Sequence, residues 1–341
     1  MNYSDVLREA KQNMGSLCKV CPICNGNACK GLIPGPGGKG LGLGFTRNYN
    51  DLRKIELEMD TLYQDETIDT SWELFGQNMA YPFFAAPIGG VNIHYGDVYN
   101  DLTYSQAIVE GCQQAGILGF TGDGVKDEVY LGAVEAIRSV GGIGIPTIKP
   151  WSIPEIIEKG LLAKNAGALA IAMDIDAAGL SILAAQGKPV SPLSVAQIQE
   201  IVKAVELPLI IKGIMTVSGA VKALEAGATG IIVSNHGGRV LDETPSGISV
   251  LEKIAKTVGD QMIIFVDGGF RSGLDVFKAL ALGADAVLIG RPYAISVYGG
   301  GAEGVQLYTE KIGAQLREAM RMTGASCLED IDRSMVTVKS F

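Results

Sequence analysis

The chain of 341 residues is 47% hydrophobic, so it can bury a large core, and its formal net charge of −9 argues against a nucleic-acid partner or an anionic membrane surface. The polar, charged residues 1–11 do not resemble a secretory signal, and no apolar run approaches the roughly 18 residues that span a bilayer. Six cysteines are too few for a disulfide scaffold in a chain of this length. We therefore expect a soluble, cytoplasmic protein.

The first 81 residues differ in composition from the rest of the chain. A short helix is predicted from Tyr3 to Met14. Residues 31–44 are too rich in glycine for regular structure, whereas Ile55, Leu57 and Met59 alternate like a strand. We expect residues 1–81 to form an N-terminal extension that packs on the domain that follows.

Four cysteines lie between the predicted helix and the glycine-rich stretch, with the spacing C-x2-C-x2-C-x4-C. Thiolates at this spacing could share an iron–sulfur or zinc centre. The alternative is that they are free thiols in a segment that covers part of the fold, and the sequence alone leaves both readings open. These candidate metal ligands are Cys18, Cys21, Cys24 and Cys29.

From Pro82 onwards, strand-like apolar runs alternate with helix-like stretches. The predicted strands are Phe83–Pro87, Ile117–Thr121, Gly144–Ile148, Leu169–Asp174, Leu209–Lys212, Gly230–Ser234, Ile263–Asp267 and Ala286–Ile289. About eight βα units is the count that a TIM barrel requires. A doubly wound sheet also alternates strands and helices, but repeats as even as these favour the closed barrel. We predict an α/β fold in which residues 82–341 form a (β/α)8 barrel, with the N-terminal extension as part of one structural domain.

In such a barrel the functional site lies at the C-terminal ends of the strands. Charged residues, hydroxyl groups and glycines gather at these predicted ends, which is difficult to explain by packing alone. In chain order they are Pro87, Ile88, Gly89, Thr121, Thr147, Lys149, Asp174, Lys212, Ser234, His236, Arg239, Asp267, Gly268, Gly269, Arg271, Gly290 and Arg291.

Two of these strand ends open glycine-containing turns with an arginine close behind. Backbone N–H groups at Gly268, Gly269 and Gly290 are suited to bind an anion where a helix begins. Arg271 and Arg291 could donate charge-assisted hydrogen bonds to phosphate oxygens. We therefore expect a phosphate site at the last two strands, with surface arginines as the alternative.

One further loop carries the sequence Ser-Asn-His-Gly-Gly-Arg at positions 234–239. An imidazole at His236 can accept a proton near neutral pH, and the guanidinium of Arg239 can hold a carboxylate at two points. Gly237 and Gly238 permit a sharp turn and a close approach to a flat ligand. Taken alone, this stretch could equally be a glycine-rich loop with a capping histidine.

This loop and a second stretch, Val-Asp-Gly-Gly-Phe-Arg-Ser-Gly-Leu-Asp-Val at 266–276, continuing to Ile-Gly-Arg-Pro at 289–292, resemble the FMN-dependent α-hydroxy-acid oxidases and dehydrogenases. This is the glycolate and lactate oxidase family. The resemblance is specific over the C-terminal third, weaker but in register from 82 to 212, and absent before Pro82.

The resemblance implies FMN as the cofactor and oxidation of a 2-hydroxy acid to a 2-oxo acid. It implies that His236 is the base, that Asp174 stabilises the charged imidazole, and that flavin N5 accepts the electrons. Arg239 would bind the substrate carboxylate, and Lys212 would lie near the N1–O2 edge of the flavin. The cofactor positions carried over are Pro87, Ile88, Gly89, Thr121, Thr147, Lys212, Ser234, Asp267, Gly268, Gly269, Arg271, Gly290 and Arg291.

The substrate side departs from the family pattern. A family tyrosine at the end of the third strand is replaced by Lys149, a tryptophan by Asp123, and a carboxylate-binding arginine by the segment at 177–179. Lys149 could bind an anionic substrate, or it could contact only the flavin or an acid such as Asp123. An FMN-dependent barrel isomerase, similar to type 2 isopentenyl diphosphate isomerase, is therefore the alternative function. Family analogy implies a homotetramer or larger.

Overall fold

The computed structural model describes residues 1–64 and 66–341. In chain order its strands and helices are α1 (Tyr3–Asn13), α2 (Leu43–Leu52), β1 (Ile55–Leu57), β2 (Trp72–Leu74), β3 (Gln77–Met79), β4 (Phe83–Ala85), α3 (Val91–Tyr95), α4 (Asp101–Gln114), β5 (Gly119–Thr121), α5 (Asp127–Ser139), β6 (Gly144–Ile148), α6 (Ile153–Asn165), β7 (Ile171–Asp174), α7 (Ser181–Ala185), α8 (Val195–Val205), β8 (Leu209–Ile214), α9 (Val217–Glu225), β9 (Gly230–Val233), α10 (Gly247–Val258), β10 (Ile263–Asp267), α11 (Gly273–Ala281), β11 (Ala286–Ile289), α12 (Arg291–Thr323) and β12 (Val336–Val338).

The eight strands from β4 to β11 pair in parallel with their sequence neighbours, and β11 closes the ring on β4. The predicted TIM barrel is therefore confirmed, and each predicted strand overlaps an observed one. Runs such as β9 are buried along their whole length because helices cover the outside of the barrel. The register places Asp174 on β7 directly beside Lys212 on β8, so charged groups from neighbouring strands meet at the C-terminal end.

Short polar side chains begin several of the outer helices. Thr216 accepts a hydrogen bond from the backbone of α9, Ser246 from α10 and Ser272 from α11. These caps satisfy backbone N–H groups that have no partner within the first helical turn. The helices therefore start immediately after the loops that carry the site.

The N-terminal extension packs along the barrel at several places. Helix α1, predicted to end at Met14, ends at Asn13, and its buried Val6 and Ala10 lie on the face towards α12. Strand β1 pairs antiparallel with β12, so Ile55 lies beside Val338. The alternation stops there, because Met59 lies beyond β1 and is 73% exposed. None of the helices in the described part of the chain combines the length and apolarity needed to cross a bilayer.

Helices α11 and α12 approach so closely that only glycine fits at their contact. A Cβ atom at Gly273 would fall on the backbone of Ile312 and Leu316, which cannot move aside as a flexible side chain would. The backbone N–H of Gly273 also donates to the side chain of Gln315, at 3.1 Å. This contact fixes the second part of α12, which follows a break in the helix at Gly301, against α11.

Gly273→Ala should therefore lower the free energy of unfolding by about 3 kcal/mol, because overpacking outweighs the roughly 1 kcal/mol of helix propensity that alanine gains. Gly141→Ala is the control, since its φ is +71° but no atom lies within 4 Å of the new methyl group. It should cost only about 1–2 kcal/mol for the left-handed backbone. Denaturant unfolding measures the free energy of unfolding of both variants. Equal losses of stability would contradict the conclusion that only glycine fits at the contact between α11 and α12.

Candidate active site

A cavity of about 870 Å³ opens at the C-terminal ends of the barrel strands. This volume lies within the roughly 300–1,000 Å³ of typical ligand and cofactor pockets. Of the residues that the sequence predicts for the site, Thr121 and Ser234 are buried outside the cavity lining. The others line it: Pro87, Ile88, Gly89, Thr147, Lys149, Asp174, Lys212, His236, Arg239, Asp267, Gly268, Gly269, Arg271, Gly290 and Arg291.

A network of charges centred on Asp174 lies at the base of this cavity. Lys212 Nζ donates to Asp174 Oδ1 at 3.1 Å, and Lys149 Nζ donates to Asp174 Oδ2 at 3.3 Å. Burial alone would raise the pKa of Asp174, but His236, Lys212 and Lys149 outweigh it and hold that pKa well below the usual range. Burial would likewise lower the pKa of Lys212, but the carboxylates of Asp174, Asp176 and Asp267 raise it. Both groups are therefore charged near neutral pH.

The imidazole of His236 faces this network through one nitrogen. Its Nδ1 lies 3.0 Å from Asp176 Oδ1 and 3.4 Å from Asp174 Oδ1. A proton on Nδ1 is favoured by the two carboxylates, which leaves the lone pair of Nε2 available as a proton acceptor. The backbone of His236 is left-handed, with φ at +57°, a conformation that is uncommon for a residue with a side chain and is frequent at functional sites.

Asp176 is the site residue that the sequence analysis missed. It lies in a short 3-10 turn, 175–179, that follows β7. Its Oδ2 is buried without a hydrogen-bond partner among the described residues. The signal available in the sequence was a second carboxylate two residues after Asp174, at the same strand end.

Gly237 and Gly238 have positive φ values, as the turn requires, but their close neighbours belong to the protein. A Cβ atom at Gly238 would fall on the backbone of Phe45 in α2, and one at Gly237 would lie 2.8 Å from Arg291 Nη1. The two glycines therefore let the N-terminal extension and Arg291 pack against the histidine loop. The sequence predicted that a flat ligand would lie against these glycines, whereas their close neighbours in the structure are protein atoms.

The guanidinium of Arg239 projects into the cavity, held by the glycine-rich stretch. Its Nη1 donates to the carbonyl oxygens of Gly35, at 2.8 Å, and Gly37, at 2.9 Å. Burial, and then the neighbouring Arg291, lowers the pKa of Arg239 to about 10, so it remains a cation near neutral pH. Nη2 lies 3.4 Å from Nδ1 of His94.

His94, the second histidine of the chain, lies in α3 beside Arg239. Its Nδ1 accepts a hydrogen bond from the backbone N–H of Gly35 at 3.2 Å, so the proton of the neutral imidazole resides on Nε2. Burial, followed by the positive charges of Arg239 and Lys149, lowers the pKa of His94 to about 3. This imidazole is therefore neutral and can donate a hydrogen bond to a ligand through Nε2.

The two residues that replace family aromatics do not pair through their side chains. Asp123 accepts from Lys159 Nζ at 2.8 Å and from the Trp151 indole at 2.6 Å, and all three side chains are buried. The backbone N–H of Lys149 also donates to Asp123, at 3.1 Å, whereas its ammonium group turns towards Asp174. Asp123 is thus part of a structural ion pair behind the cavity wall.

Several groups in and beside the cavity have the character of a cofactor site. Among the described residues, Thr121 Oγ1, Thr147 Oγ1 and Asp267 Oδ1 are buried polar atoms without hydrogen-bond partners, which is rare in a folded protein. Helix α12 begins at Gly290 without a side-chain cap, so its first N–H groups are open to an anion. These features fit a phosphorylated, polyhydroxylated cofactor such as FMN.

The two arginines predicted for the phosphate contact the N-terminal extension. Arg271 Nε donates to the carbonyl oxygen of Cys24 at 3.0 Å. Arg291 Nε donates to that of Pro36 at 2.6 Å, and its guanidinium stacks 3.6 Å from the ring centre of Phe45. Carbonyl groups orient these cations without cancelling their charge, so both remain suited to bind an anion.

Comparison with known proteins agrees with this geometry. The model of FMN-dependent dehydrogenases matches residues 36–182 and 176–338, so the chain belongs to the FMN-dependent dehydrogenase family. A solved mandelate oxidase variant containing a C4a-OH-FMN adduct is 26% identical, with a TM-score of 0.81, over 99% of this chain and 100% of that one. Family membership and this likeness identify FMN as the cofactor.

Two curated relatives match over a shorter length. A peroxisomal (S)-2-hydroxyacid oxidase of Arabidopsis thaliana is 46% identical over 135 residues, which is 40% of this chain and 37% of the oxidase. An L-lactate oxidase of Lactobacillus jensenii is 44% identical over 142 residues, which is 42% of this chain and 34% of that enzyme. The match thus spans little more than a third of the length of these relatives.

The lowered pKa of His94 predicts a pH dependence of stability. Between about pH 6.5, the usual value for an unfolded histidine, and the folded value, the unfolded chain binds a proton that the folded chain does not. Stability should therefore fall as the pH decreases below about 6.5. In His94→Gln, denaturant unfolding should show a weaker decrease between about pH 6.5 and 4.5. A His94 imidazole NMR signal that titrates near pH 6.5 would contradict this prediction.

Proposed function

We propose that the protein oxidises a 2-hydroxy acid to a 2-oxo acid with FMN as the electron acceptor. The observation that carries the proposal is the orientation of His236. Its Nδ1 is held by Asp176 and Asp174, and its side chain lines the same cavity as the guanidinium of Arg239. This arrangement supports a base and a carboxylate-binding cation that act on the same substrate.

In this proposal His236 Nε2 removes the hydroxyl proton of the substrate. Asp176 and Asp174 stabilise the imidazolium that results, since their carboxylates lie within 3.4 Å of Nδ1. Arg239 binds the substrate carboxylate through Nη2, because Nη1 is already engaged by two carbonyl oxygens. His94 is a poor alternative base, since Gly35 occupies its Nδ1 lone pair and its pKa is lowered to about 3.

FMN, when bound, would supply the acceptor for the hydride, the α-hydrogen with its two electrons, that leaves the substrate carbon as the hydroxyl proton passes to His236. Lys212 would provide a buried positive charge for the reduced form. Asp267 Oδ1 and Thr147 Oγ1, which have no hydrogen-bond partner among the described residues, would supply hydrogen-bonding groups. Arg271, Arg291 and the start of α12 would hold the phosphate. Backbone groups of 87–89 and 268–269 form the remaining cofactor wall.

Lys149 is proposed to take part in substrate selection, because it lines the cavity and its side chain is 13% exposed. Its ion pair with Asp174 compensates part of its charge. The isomerase alternative is not favoured, because the relatives and structures that resemble this chain carry the names of 2-hydroxy-acid oxidases and dehydrogenases. Stoichiometric bleaching of the flavin by a 2-hydroxy acid distinguishes the two reactions.

We also propose a homotetramer or larger assembly, by analogy with the family, which light scattering would test. A cytoplasmic location is proposed because none of the six cysteines, all of which lie in the described residues, forms a disulfide, as expected in a reducing compartment.

His236→Ala should retain FMN and the fold, yet reduce flavin about 10²–10⁴-fold more slowly, because a positioned base contributes a factor of this size. The measurement is anaerobic stopped-flow reduction with a panel of 2-hydroxy acids. His94→Ala is the matched control, since it removes the other imidazole beside Arg239. A His236→Ala variant that reduces flavin at nearly the wild-type rate, while His94→Ala does not, would refute the assignment of the base.

Arg291→Ala should weaken FMN binding roughly 10–150-fold, since hydrogen bonds to charged groups contribute about 1.5–3 kcal/mol. Fluorescence titration of the apoprotein with FMN measures the change. Arg317→Ala is the control, because Arg317 contacts Tyr81 and does not line the cavity. Equal FMN affinity in the two variants would exclude Arg291 from phosphate binding.

A further inference from the structure

The thiols of the cysteine segment, between α1 and the glycine-rich stretch, have no role in the proposed oxidation. Its four thiols, Cys18, Cys21, Cys24 and Cys29, are free and partly buried. Left-handed backbone at Val20, with φ at +44°, and at Gly26, with φ at +90°, folds the segment back on itself. As a result all four cysteines line one small cavity, which is separate from the active-site cavity.

This cysteine cavity lies against the phosphate end of the cofactor site. Arg291 lines both cavities. Arg271, which lines the cofactor cavity, donates through Nη2 to Cys24 Sγ at 3.5 Å and through Nε to the carbonyl oxygen of Cys24 at 3.0 Å. Two cations therefore flank the thiols, and positive charge of this kind stabilises thiolates and the anionic clusters that they bind.

Two of the sulfur atoms make only long, weak hydrogen bonds. Cys29 Sγ donates to the carbonyl oxygen of Gly26 at 3.9 Å, and Cys24 Sγ accepts from Arg271 Nη2 at 3.5 Å. A metal centre would engage all four sulfur atoms at once.

The spacing between the sulfur atoms distinguishes two kinds of centre. A single tetrahedral zinc ion, with Zn–S bonds of about 2.3 Å, requires sulfur atoms within about 3.8 Å of one another. In the described part of the chain, the ligand atoms that lie within 4.8 Å of one another in groups of three belong to Asp174, Asp176 and His236. No three of the four cysteine sulfur atoms, all in the described residues, are therefore gathered as closely as one zinc ion demands. A cubane iron–sulfur cluster binds each thiolate at a different iron corner and needs the wider separation.

The sequence spacing agrees with this choice. The run C-x2-C-x2-C at 18–24 is the spacing of cluster-binding cysteines, and Cys29 adds the fourth thiolate that a [4Fe–4S] cluster requires. We propose that Cys18, Cys21, Cys24 and Cys29 bind a [4Fe–4S] cluster beside the Arg271–Arg291 end of the cofactor cavity.

The test uses the full chain, purified anaerobically and reconstituted with ferrous iron and sulfide. The expected result is about four iron and four sulfide per chain, with an electron paramagnetic resonance signal after reduction by dithionite. Iron is expressed per folded chain from circular dichroism and bound FMN, so a variant that fails to fold is recognised. These readouts do not depend on hydroxy-acid oxidation, so they separate failure of this proposal from failure of the proposed function.

Cys21→Ser and Cys29→Ser should each lose at least half of the iron while retaining FMN. Cys327→Ser is the matched control, because Cys327 lies near the C-terminus and does not line the cysteine cavity. Its iron content should equal that of the unsubstituted chain. Stoichiometric zinc, about two iron per chain, no metal, or equal iron loss in Cys327→Ser would each overturn the proposal.

Discussion

The candidate site depends on the hydrogen bonds and ion pairs that the buried carboxylate of Asp174 makes. This carboxylate accepts from Lys212 and Lys149 and lies 3.4 Å from His236. Without it, two buried ammonium groups would lose their common partner, and breaking a buried pair typically costs about 3–5 kcal/mol. Because the parallel register sets Asp174 beside Lys212, the barrel itself determines this pairing. The loop after β9 then places the imidazole of His236 beside this carboxylate, whose position the pairing of β7 with β8 already determines.

The N-terminal extension completes the site with backbone carbonyl groups. Gly35 and Gly37 orient Arg239, Pro36 orients Arg291, and Cys24 orients Arg271. A carboxylate in any of these places would neutralise the arginine and compete with an anionic ligand, whereas a carbonyl dipole holds the guanidinium and leaves its net charge. The glycine-rich composition fits this close packing, since a Cβ atom at Gly37 would fall on the carbonyl oxygen of Cys29, and one at Gly35 would lie 2.7 Å from the side chain of Leu32.

The sequence alone predicted the features of the molecule that depend on local residue patterns. Eight buried runs predicted the barrel, and the strand-end rule brought His236, Arg239 and Lys212 into one cavity. Contacts between segments that are far apart in the sequence could not be predicted in this way. The hydrogen bond from Gly35 to His94 joins residues 59 positions apart, and no periodicity encodes it. Asp176 was missed because a second acid beside a strand end looks the same as an ordinary capping residue until its position relative to the imidazole is known.

One wall of the cavity carries Asp123 and Lys149, where the resemblance to the family implies aromatic side chains. Lys159 from α6 donates to the buried carboxylate of Asp123 at 2.8 Å, and Trp151 donates to the same carboxylate. Because Asp123 is thereby satisfied, it does not draw the ammonium group of Lys149 away from the cavity. Lys149 instead shares Asp174 with Lys212, so its charge is only partly compensated. If Lys149 selects the substrate as proposed, recognition along this wall rests on charge and hydrogen bonding rather than on the packing of an aromatic face.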